Sequence, residues 1–420
     1  MKLRRRLRSI ALAKQLGPGL VTGAADDDPS GIATYSQAGA QFGVALLWTM
    51  LLTYPLMCAV QLVSARIGRV TGHGLAANLR HVLPQPLVLA LVVLLFAANT
   101  INVGADLAAM GEAGALASGV DAHALTAGFA LVSLLLQLFI PYRRYAKFLK
   151  WLTLSLFAYV AVMVLVRVDW AAAALGLVWP RIPGASAVTV IVAIFGTTIS
   201  PYLFFWQSAQ EVEEIDRKKQ RKPLRSAPEQ AWAALRRLRI DTFTGMAVSN
   251  LVAIAIIVAA AATLNRNGVT TIASAADAAR ALQPIAGRFA FALFSLGIVG
   301  TGLLAVPVLA GSAAFAVGES QGWKSGLEYQ PWEATGFYAV IAAATLIGLA
   351  IDWLGLPPMR ALFWSAVVNG IVAVPIMAAM MVTVSRAGRM GKFVAPLSLR
   401  LFGWAATATM AAAAAAMLLF

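Results

Sequence analysis

The chain has 420 residues, of which 60% are hydrophobic and only 12% are charged, and its formal net charge is +15. Soluble domains are roughly 45–50% apolar and 25% charged, so this composition excludes an ordinary soluble fold and indicates a protein embedded in a bilayer. The single cysteine, Cys58, lies in an apolar segment, which excludes a disulfide framework and a cysteine-based metal cage.

Apolar stretches long enough to cross a hydrocarbon core of roughly 30 Å recur along the whole chain. The basic N-terminal residues 1–16 run into this pattern without a small-residue cleavage site, so we expect no cleaved signal peptide. The pattern predicts an all-α polytopic membrane protein with eleven spans, at residues 17–42, 44–65, 86–118, 123–141, 148–168, 186–210, 241–264, 287–317, 335–353, 359–384 and 401–420.

The Lys and Arg residues are unevenly divided between the two sides of the predicted membrane protein. With a cytoplasmic N-terminus, 27 of the 33 fall on cytoplasmic segments, as the positive-inside rule requires. The charge therefore predicts an N-in, C-out orientation and gives no reason to expect nucleic acid as a partner. The basic run RKKQRKPLR, in the predicted cytoplasmic loop 211–240, either attracts anionic lipid headgroups or is a plain solvated loop.

Three consecutive aspartates, Asp26, Asp27 and Asp28, interrupt the first predicted span. A carboxylate near the bilayer midplane costs roughly 2.5–3.5 kcal/mol on insertion scales. Pro29 removes an amide donor and disfavours the α conformation at Asp28, while Gly31 permits unusual backbone angles. DPSG therefore predicts a break between two half-helices around a functional Asp28, with an ordinary proline kink as the alternative. Asp26 and Asp27 either join the site or face a cytoplasmic vestibule.

The sixth predicted span has a similar weak point in its middle, at Gly196, Thr197, Thr198, Ser200 and Pro201. Because it lies five spans after the first, it enters from the opposite side, as in a five-plus-five inverted repeat with broken first helices. We expect residues 17–168 and 186–384 to form the two repeats, with 401–420 as an accessory helix. Freed carbonyls beside a carboxylate predict an oxygen-lined cation site.

Two segments, GPGLVTGAADDDPSGIATYSQAGAQFG and GTTISPYLFFWQSA, resemble the first and sixth helices of the Nramp family of divalent metal transporters. The resemblance, which AGAQFGVALLW and QLVSARIGRVTG extend, covers nearly the whole chain and implies a LeuT-like fold. The family's D-P-G-N and M-P-H motifs read here Asp28-Pro29-Ser30-Gly31 and Ser200-Pro201-Tyr202. By position, Asp28 supplies the family's carboxylate and Thr197 its backbone carbonyl, whereas Gly31 replaces an amide ligand and Ser200 a thioether.

The missing thioether bears on which metal is carried. A Met sulfur favours softer transition metals, whereas an all-oxygen site suits Mg²⁺, Ca²⁺ or Mn²⁺. Mg²⁺ dehydrates reluctantly, and we expect Gly31 and Ser200 to leave room for its waters. These departures are similar to those of the Nramp-related magnesium transporters. The expected substrate is Mg²⁺, and also Mn²⁺, as a transported ion rather than a cofactor.

The family's proton-coupled members use histidines on helix six and an Asp and Glu pair on helix three. Here the histidine positions read Tyr202 and Gln207, and GADLAAMG retains Asp106 but has Ala109 in place of the Glu. We therefore expect transport that is not coupled to protons. Asp106 either orients Asp28 or water, or is a buried carboxylate bonded to a neighbouring helix.

Polar residues elsewhere in the predicted spans are weaker candidates. Asn250 and Asn369 lie in apolar segments, where interhelical hydrogen bonding is a more frequent role than ligation, although Asn369 is near the position of a family amide on helix ten. The three histidines, His73, His81 and His123, lie outside helix centres, and we expect them in loops.

Three other functions fit parts of the pattern. The same fold serves a proton-coupled, Nramp-type Mn²⁺ or Fe²⁺ transporter, or a sodium-coupled solute symporter. A membrane prenyl or phosphatidyl transferase also uses aspartate clusters, but no second D-x-x-x-D run follows here. We therefore expect a transporter without enzymatic activity, present as a monomer in a bacterial inner membrane.

Overall fold

The computed structural model describes residues 22–23, 25–141, 144, 152–217 and 220–419. Within these ranges the chain forms α-helices and short 3-10 turns, and no strand. Several predicted features lie outside the described residues: the basic segment 1–16, the starts of the spans at 17 and 148, and the cationic residues Arg143, Lys147, Lys150, Lys218 and Lys219.

The described residues form a succession of long and short helices. In chain order these are α1 (Pro29–Phe42), α2 (Trp48–Thr71), α3 (Leu75–Leu79), α4 (Gln85–Ser118), α5 (Ala122–Phe139), α6 (Phe157–Leu165), α7 (Trp170–Val178), α8 (Ala185–Thr198), α9 (Pro201–Arg217), α10 (Ala231–Thr263), α11 (Ala275–Ala279), α12 (Gln283–Ala286), α13 (Ala290–Gln321), α14 (Thr335–Asp352), α15 (Pro358–Ser385), α16 (Ala387–Met390) and α17 (Leu397–Leu419).

Nine helical segments of the described chain are long and apolar enough to cross a membrane, with α8 and α9 counted as one segment. They correspond to nine of the predicted spans. The other two predicted spans are only partly described, and their described parts contain α1 and α6. The prediction of an all-helical, polytopic membrane protein is confirmed.

The predicted loop 211–240 is largely helical. α9 continues to Arg217, and α10 begins at Ala231, ten residues before the predicted start at 241. The 33 residues of α10 span about 50 Å at 1.5 Å per residue, more than a hydrocarbon core of roughly 30 Å. The prediction was wrong here because hydropathy marks where a helix enters the apolar layer, whereas backbone hydrogen bonds continue into water.

One smaller expectation was wrong, and one helix was missed. His123 lies in the first turn of α5 rather than in a loop, because Asp121 caps that helix by accepting the Ala124 N–H at 2.9 Å. The nine-residue helix α7 was not predicted. Asp169 caps it by accepting the Ala172 N–H at 2.9 Å. In both cases an aspartate side chain caps the N-terminus of the helix, close to the end of an apolar segment.

Glycines allow the half-helices to approach their neighbours closely. α1 packs on α10 at Gly39, where a Cβ atom would lie 2.3 Å from the carbonyl oxygen of Ile257. α8 packs on α15 at Gly196, where a Cβ atom would lie 1.9 Å from the carbonyl oxygen of Ala366. Small residues permit such backbone contacts between membrane helices. These contacts fix α1 and α8, whose ends form the centre of the molecule.

Both predicted breaks are present, although the first differs in detail. In the sixth span, Ile199 and Ser200 separate α8 from α9. In the first span, the non-helical residues are Asp27 and Asp28, and α1 begins at Pro29. Gly31 therefore lies within the first turn of α1, and its φ is not positive, contrary to the expectation that it supplies unusual backbone angles. The division into repeats 17–168 and 186–384 stays a prediction.

Candidate functional site

Asp28 lies at the N-terminus of α1, where it is 1% exposed. Its Oδ1 accepts the Gly31 N–H at 2.8 Å and the Ser30 hydroxyl at 2.7 Å. An aspartate N-cap followed by proline at the first helical position is a favoured helix start, because the side chain satisfies a free N–H and proline has none to satisfy. The local sequence thus holds the carboxylate at the break.

The second oxygen of Asp28 connects the break to other helices. Its Oδ2 accepts the side-chain amide of Asn102, on α4, at 3.2 Å and lies 3.5 Å from the hydroxyl of Tyr202, on α9. The Tyr202 hydroxyl also donates to the Ala25 carbonyl at 3.0 Å, and the Ser365 hydroxyl, on α15, donates to Asn102 Oδ1 at 2.6 Å. Three helices, α1, α4 and α9, therefore meet at Asp28, and α15 supports Asn102 from behind.

Sequence reasoning missed Asn102. The available signal was its position one helical turn before Asp106, because residues four apart share a helix face. Asn102 performs the orienting role that was considered for Asp106. The side chain of Asp106 is fully buried, and within the described chain neither of its oxygens has a hydrogen-bond partner. The alternative expectation, a bond from Asp106 to a neighbouring helix, is therefore also not observed.

At the second break, Ser200 bonds to the end of α8. Its single hydroxyl proton is shared between the carbonyl oxygens of Gly196, at 2.7 Å, and Thr197, at 2.9 Å. A carbonyl oxygen has two lone pairs, so the Thr197 carbonyl oxygen retains one lone pair for an ion.

Thr197 and Gly31, both predicted to belong to the site, face each other across the two breaks. A Cβ atom on Gly31 would lie 3.2 Å from Thr197 Oγ1 and 3.3 Å from Tyr35 Cε2. The room expected beside Gly31 is therefore largely filled in this structure.

Asp26 and Asp27 share one partner instead of facing an open vestibule. They are 0% and 5% exposed, and the Ser249 hydroxyl, on α10, lies 2.7 Å from Asp26 Oδ2 and 3.0 Å from Asp27 Oδ1. Ser249 was missed because a serine in an apolar helix is ordinary. The neighbouring Asn250, which was the predicted candidate, is 9% exposed and does not make this contact.

Two other candidate residues, Gln207 and Asn369, differ in whether their side chains form hydrogen bonds. The Gln207 side-chain oxygen accepts the Thr22 hydroxyl at 2.6 Å, which joins α9 to the N-terminal half of the first span. Asn369, on α15, is 1% exposed, and neither atom of its amide has a hydrogen-bond partner among the described residues. Asn369 is therefore buried but not engaged in the interhelical bond expected of it.

Gln61 is a further buried amide that the sequence did not single out. α2 and α9 run side by side in the same direction. Two contacts show this: the Ser64 hydroxyl donates to the Phe204 carbonyl, and one turn later Gly68 packs on the Ser208 carbonyl. One turn before Ser64, Gln61 lies level with the start of α9. It is 1% exposed, and its amide atoms are unpartnered within the described residues.

The site is strongly acidic. Asp26, Asp27, Asp28 and Asp106 are all buried, and none of them forms an ion pair in the part of the chain that the structure describes. A buried charge is costly unless it is paired or coordinates a metal. No group of three or more His, Cys, Asp or Glu side chains among the described residues has the geometry of a metal cage. The arrangement instead suits a cation that is held by one carboxylate, carbonyl and hydroxyl oxygens, and water.

A comparison with known families agrees with these observations. The model of the family described as "Nramp: Natural resistance-associated macrophage protein-like" matches residues 19–420. The chain belongs to the Nramp family. A relative of this Nramp chain, the "Divalent metal cation transporter MntH" of Acidiphilium cryptum (strain JF-5), is 30% identical over 387 residues, which cover 88% of this chain and 82% of the relative.

Solved structures show that the Nramp chain has a known fold. A manganese transporter of Eremococcus coleocola, crystallised with an aromatic bis-isothiourea compound, matches with a TM-score of 0.75 at 18% identity and covers 96% of this chain and 85% of its own. Mhp1, a nucleobase-cation-symport-1 family transporter, matches with a TM-score of 0.54 at 14% identity, covering 96% and 92%. The predicted LeuT-like fold is confirmed.

Proposed function

We propose that this Nramp protein carries divalent metal cations across the membrane, with Mg²⁺ as its preferred substrate and Mn²⁺ as a second one. The ion binds, partly hydrated, between Asp28 and the break before α9. The printed names of its relatives, a divalent metal cation transporter and a manganese transporter, support the coarser part of this proposal. A bacterial inner-membrane location and a monomeric state stay predictions.

The observation that carries the proposal is the buried carboxylate of Asp28 at the junction of two broken spans. The side chains of Asn102 and Tyr202 contact its Oδ2, but both are neutral and leave its negative charge uncompensated. A cation at this position offsets the desolvation of Asp28 and of the three nearby aspartates. An anionic solute would be repelled by the same charges.

The preference for Mg²⁺ rests on the oxygen chemistry of the second break. Ser200 and Thr197 provide hydroxyl and carbonyl oxygens, and neither supplies a soft sulfur ligand. Mg²⁺ keeps several of its waters when it is bound through one or two carboxylates. Because Tyr35 and Thr197 crowd Gly31 here, a hydrated ion requires these side chains to move apart.

Transport without proton coupling is the third part of the proposal. Tyr202 and Gln207 replace the family's histidines, and each holds the first span through a hydrogen bond, to the Ala25 carbonyl and from the Thr22 hydroxyl. Neither side chain exchanges protons readily near neutral pH, unlike histidine. The Mg²⁺ gradient and the membrane potential then drive entry.

A second candidate function is proton-coupled transport of Mn²⁺. Asp106 favours it, because this buried carboxylate has no hydrogen-bond partner in the described chain and intramembrane carboxylates serve as proton relays. Ala109 weighs against this function, because it removes the partner that the family's relay uses.

Ion influx into sealed proteoliposomes tests both candidates. Mg²⁺ and Mn²⁺ entry is followed with internal fluorescent indicators, and a trapped pH dye reports the internal pH. We expect entry of both ions without acidification when the membrane potential is clamped. Acidification that depends on the metal and disappears in Asp106→Asn would favour the proton-coupled candidate.

The matched variants are Asp28→Asn and Asp121→Asn. Both residues are helix N-caps that accept a backbone N–H, and asparagine also caps helices well. Only Asp28→Asn removes a charge from the site, so we expect its influx to fall by at least about tenfold, as loss of a charged interaction of 1.5–3 kcal/mol implies. Equal influx in the two variants would exclude Asp28 as the ion's anchor.

A further inference from the structure

A groove opens toward the lipid between α4, the end of α13 and the start of α14. It has a volume of about 410 Å³, within the range of roughly 300–1,000 Å³ that is typical of small-ligand sites. α4 and α14 form its two walls, and Val317 at the end of α13 forms its floor. Because Leu89 and Val93 are 47% and 57% exposed, the groove faces outward and does not belong to the ion site.

The wall from α14 is made by small side chains on one helix face. Gly336, Ala339, Val340 and Ala343 line the groove, at the i, i+3, i+4, i+7 spacing of a single face. A Cβ atom at Gly336 would lie 2.6 Å from Cε3 of Trp323, so glycine there lets the indole ring lie against α14. The result is an apolar channel along the helices.

The groove lies at the basic side of the protein, which the charge distribution predicts to be cytoplasmic. α4 begins at Gln85, α13 ends at Gln321 and α14 begins at Thr335, and all three ends are at this side. Leu89 and Phe96 are four and eleven residues into the bilayer from Gln85, or roughly 6 and 17 Å at 1.5 Å per residue. That range corresponds to about half of a hydrocarbon core of roughly 30 Å, which is the acyl region of one leaflet.

The open end of the groove is polar and cationic. Ser320, Gln321 and Trp323 line it, and Trp side chains are favoured at the membrane–water interface. The exposed guanidinium of Arg80 donates to the Glu319 carbonyl at 3.4 Å, immediately before Ser320. Lys324 follows Trp323 and is exposed.

In the part of the chain that the structure describes, no carboxylate forms an ion pair with the Arg80 guanidinium. The Glu319 carboxylate points away from the groove, because it accepts the Ala76 N–H at 3.0 Å and the Ala77 N–H at 3.3 Å at the start of α3. Glu333 accepts the Gln330 N–H of its own turn at 2.9 Å. Arg80 therefore remains available to an anion at the mouth of the groove.

We propose that this groove holds one phospholipid of the adjacent leaflet, with an acyl chain between α4 and α14 and the phosphate diester at Arg80. From the deepest point outward, the apolar walls match the acyl chain and the indole of Trp323 matches the interfacial region of the lipid. The exposed guanidinium of Arg80 matches the phosphate. Phosphate is recognised whether the headgroup is anionic or zwitterionic.

Native mass spectrometry of the full chain in detergent tests this site. The protein is titrated with dioleoyl phosphatidylglycerol, with dioleoyl phosphatidylcholine, with dioleoylglycerol, which lacks phosphate, and with glycerol phosphate, which lacks acyl chains. We expect one tight site for each of the two phospholipids, and weak binding of the two fragments. Binding of glycerol phosphate alone would show a free-anion site and overturn the proposal.

Two variants on opposite walls block the groove. Ala339→Trp and Val93→Trp are expected to remove the tight lipid, whereas Ala408→Trp, at an exposed alanine of α17, is expected to retain it. Arg80→Gln is expected to weaken phospholipid binding about fivefold, the factor for one basic residue near a lipid phosphate, while Arg386→Gln, also exposed on the basic side, leaves it unchanged. Melting temperatures identify any variant that misfolds. If one of the two wall variants misfolds, lipid binding by the variant on the other wall provides the test. Retention of the tight lipid by a folded wall variant would overturn the proposal.

Discussion

The side-chain amide of Asn102 donates a hydrogen bond to Asp28 across 3.2 Å. This contact joins the centre of α4 to the break in the first span, and Ser365 holds the amide from its other side by donating to Asn102 Oδ1 at 2.6 Å. Ser30 and Gly31 bond to Asp28 Oδ1, and the orientation of Oδ2 is fixed by a neutral amide on a neighbouring helix rather than by the carboxylate of Asp106.

Replacing Asn102 is expected to weaken ion binding. A hydrogen bond to a charged group contributes about 1.5–3 kcal/mol, so Asn102→Ala should raise the KM for Mg²⁺ influx by about tenfold or more. Asn99→Ala is the control, because Asn99 is a buried amide one turn earlier on α4 that donates to the Leu309 carbonyl at 2.9 Å. An unchanged KM in Asn102→Ala, with both variants folded, would contradict this role.

Restoring the sulfur ligand is expected to change the metal preference. Ser200→Met places a thioether at the second break, where the native hydroxyl bonds to Gly196 and Thr197. Soft sulfur favours transition metals over Mg²⁺, so Cd²⁺ should inhibit Mg²⁺ influx at lower concentration. Ser200→Leu controls for side-chain size without sulfur. The same Cd²⁺ sensitivity in both variants would argue against Ser200 as a ligand position.

Enlarging Gly23 is expected to open the basic side of the site. Here Thr22 bonds to Gln207, and a Cβ atom on Gly23 would lie 2.5 Å from the Gly245 carbonyl oxygen. Gly23→Val should therefore displace the first span from α10. Overpacking costs about 1–3 kcal/mol, which shifts a conformational equilibrium by about 5- to 150-fold.

The measurement is maleimide labelling of Thr22→Cys in a Cys58→Ala background, with reagent added at the basic side. Labelling should accelerate in Gly23→Val. It should not accelerate in Gly128→Val, because Gly128 is exposed on α5 and nothing lies within 4 Å of its Cβ position. Equal labelling rates in the two variants would show that the Gly23–Gly245 contact does not keep this side closed.

Removing Arg237 is expected to destabilise the fold. Its guanidinium donates a hydrogen bond to Glu211 at 2.6 Å and forms an ion pair with Glu214 at 2.8 Å, and the Glu211 side chain is 0% exposed. Loss of one partner from a buried ion pair costs about 3–5 kcal/mol, so the melting temperature of Arg237→Leu should fall clearly. Arg236→Leu should have little effect, because Arg236 is exposed and stacks on Trp232, 5.3 Å from its ring centre. Equal melting temperatures would exclude a stabilising ion pair.

Much of the fold was predictable because it follows from local hydropathy. Nine spans were placed to within a few residues at most ends, and the breaks at Asp28 and Ser200 were identified from carboxylates and prolines that a continuous membrane helix tolerates poorly. The helix ends outside the bilayer were not predictable in this way. The early start of α10 at Ala231 and the cap of α5 at Asp121 depend on hydrogen bonds that carry no hydropathy signal.

The sequence by itself determined the membrane class, the two weak points in the helices and Asp28 as a candidate site residue, because each depends on the chemistry of residues close together in the chain. Thr197 and Ser200 became candidate ligands through the resemblance of their segment to the Nramp helix-six motif. Only the tertiary structure decided which side chains meet there. Asn102 at Asp28, Ser249 between Asp26 and Asp27, and Tyr35 beside Gly31 are contacts between separate helices or successive helical turns. Such contacts depend on how helices pack and rotate against one another, which no short stretch of sequence specifies.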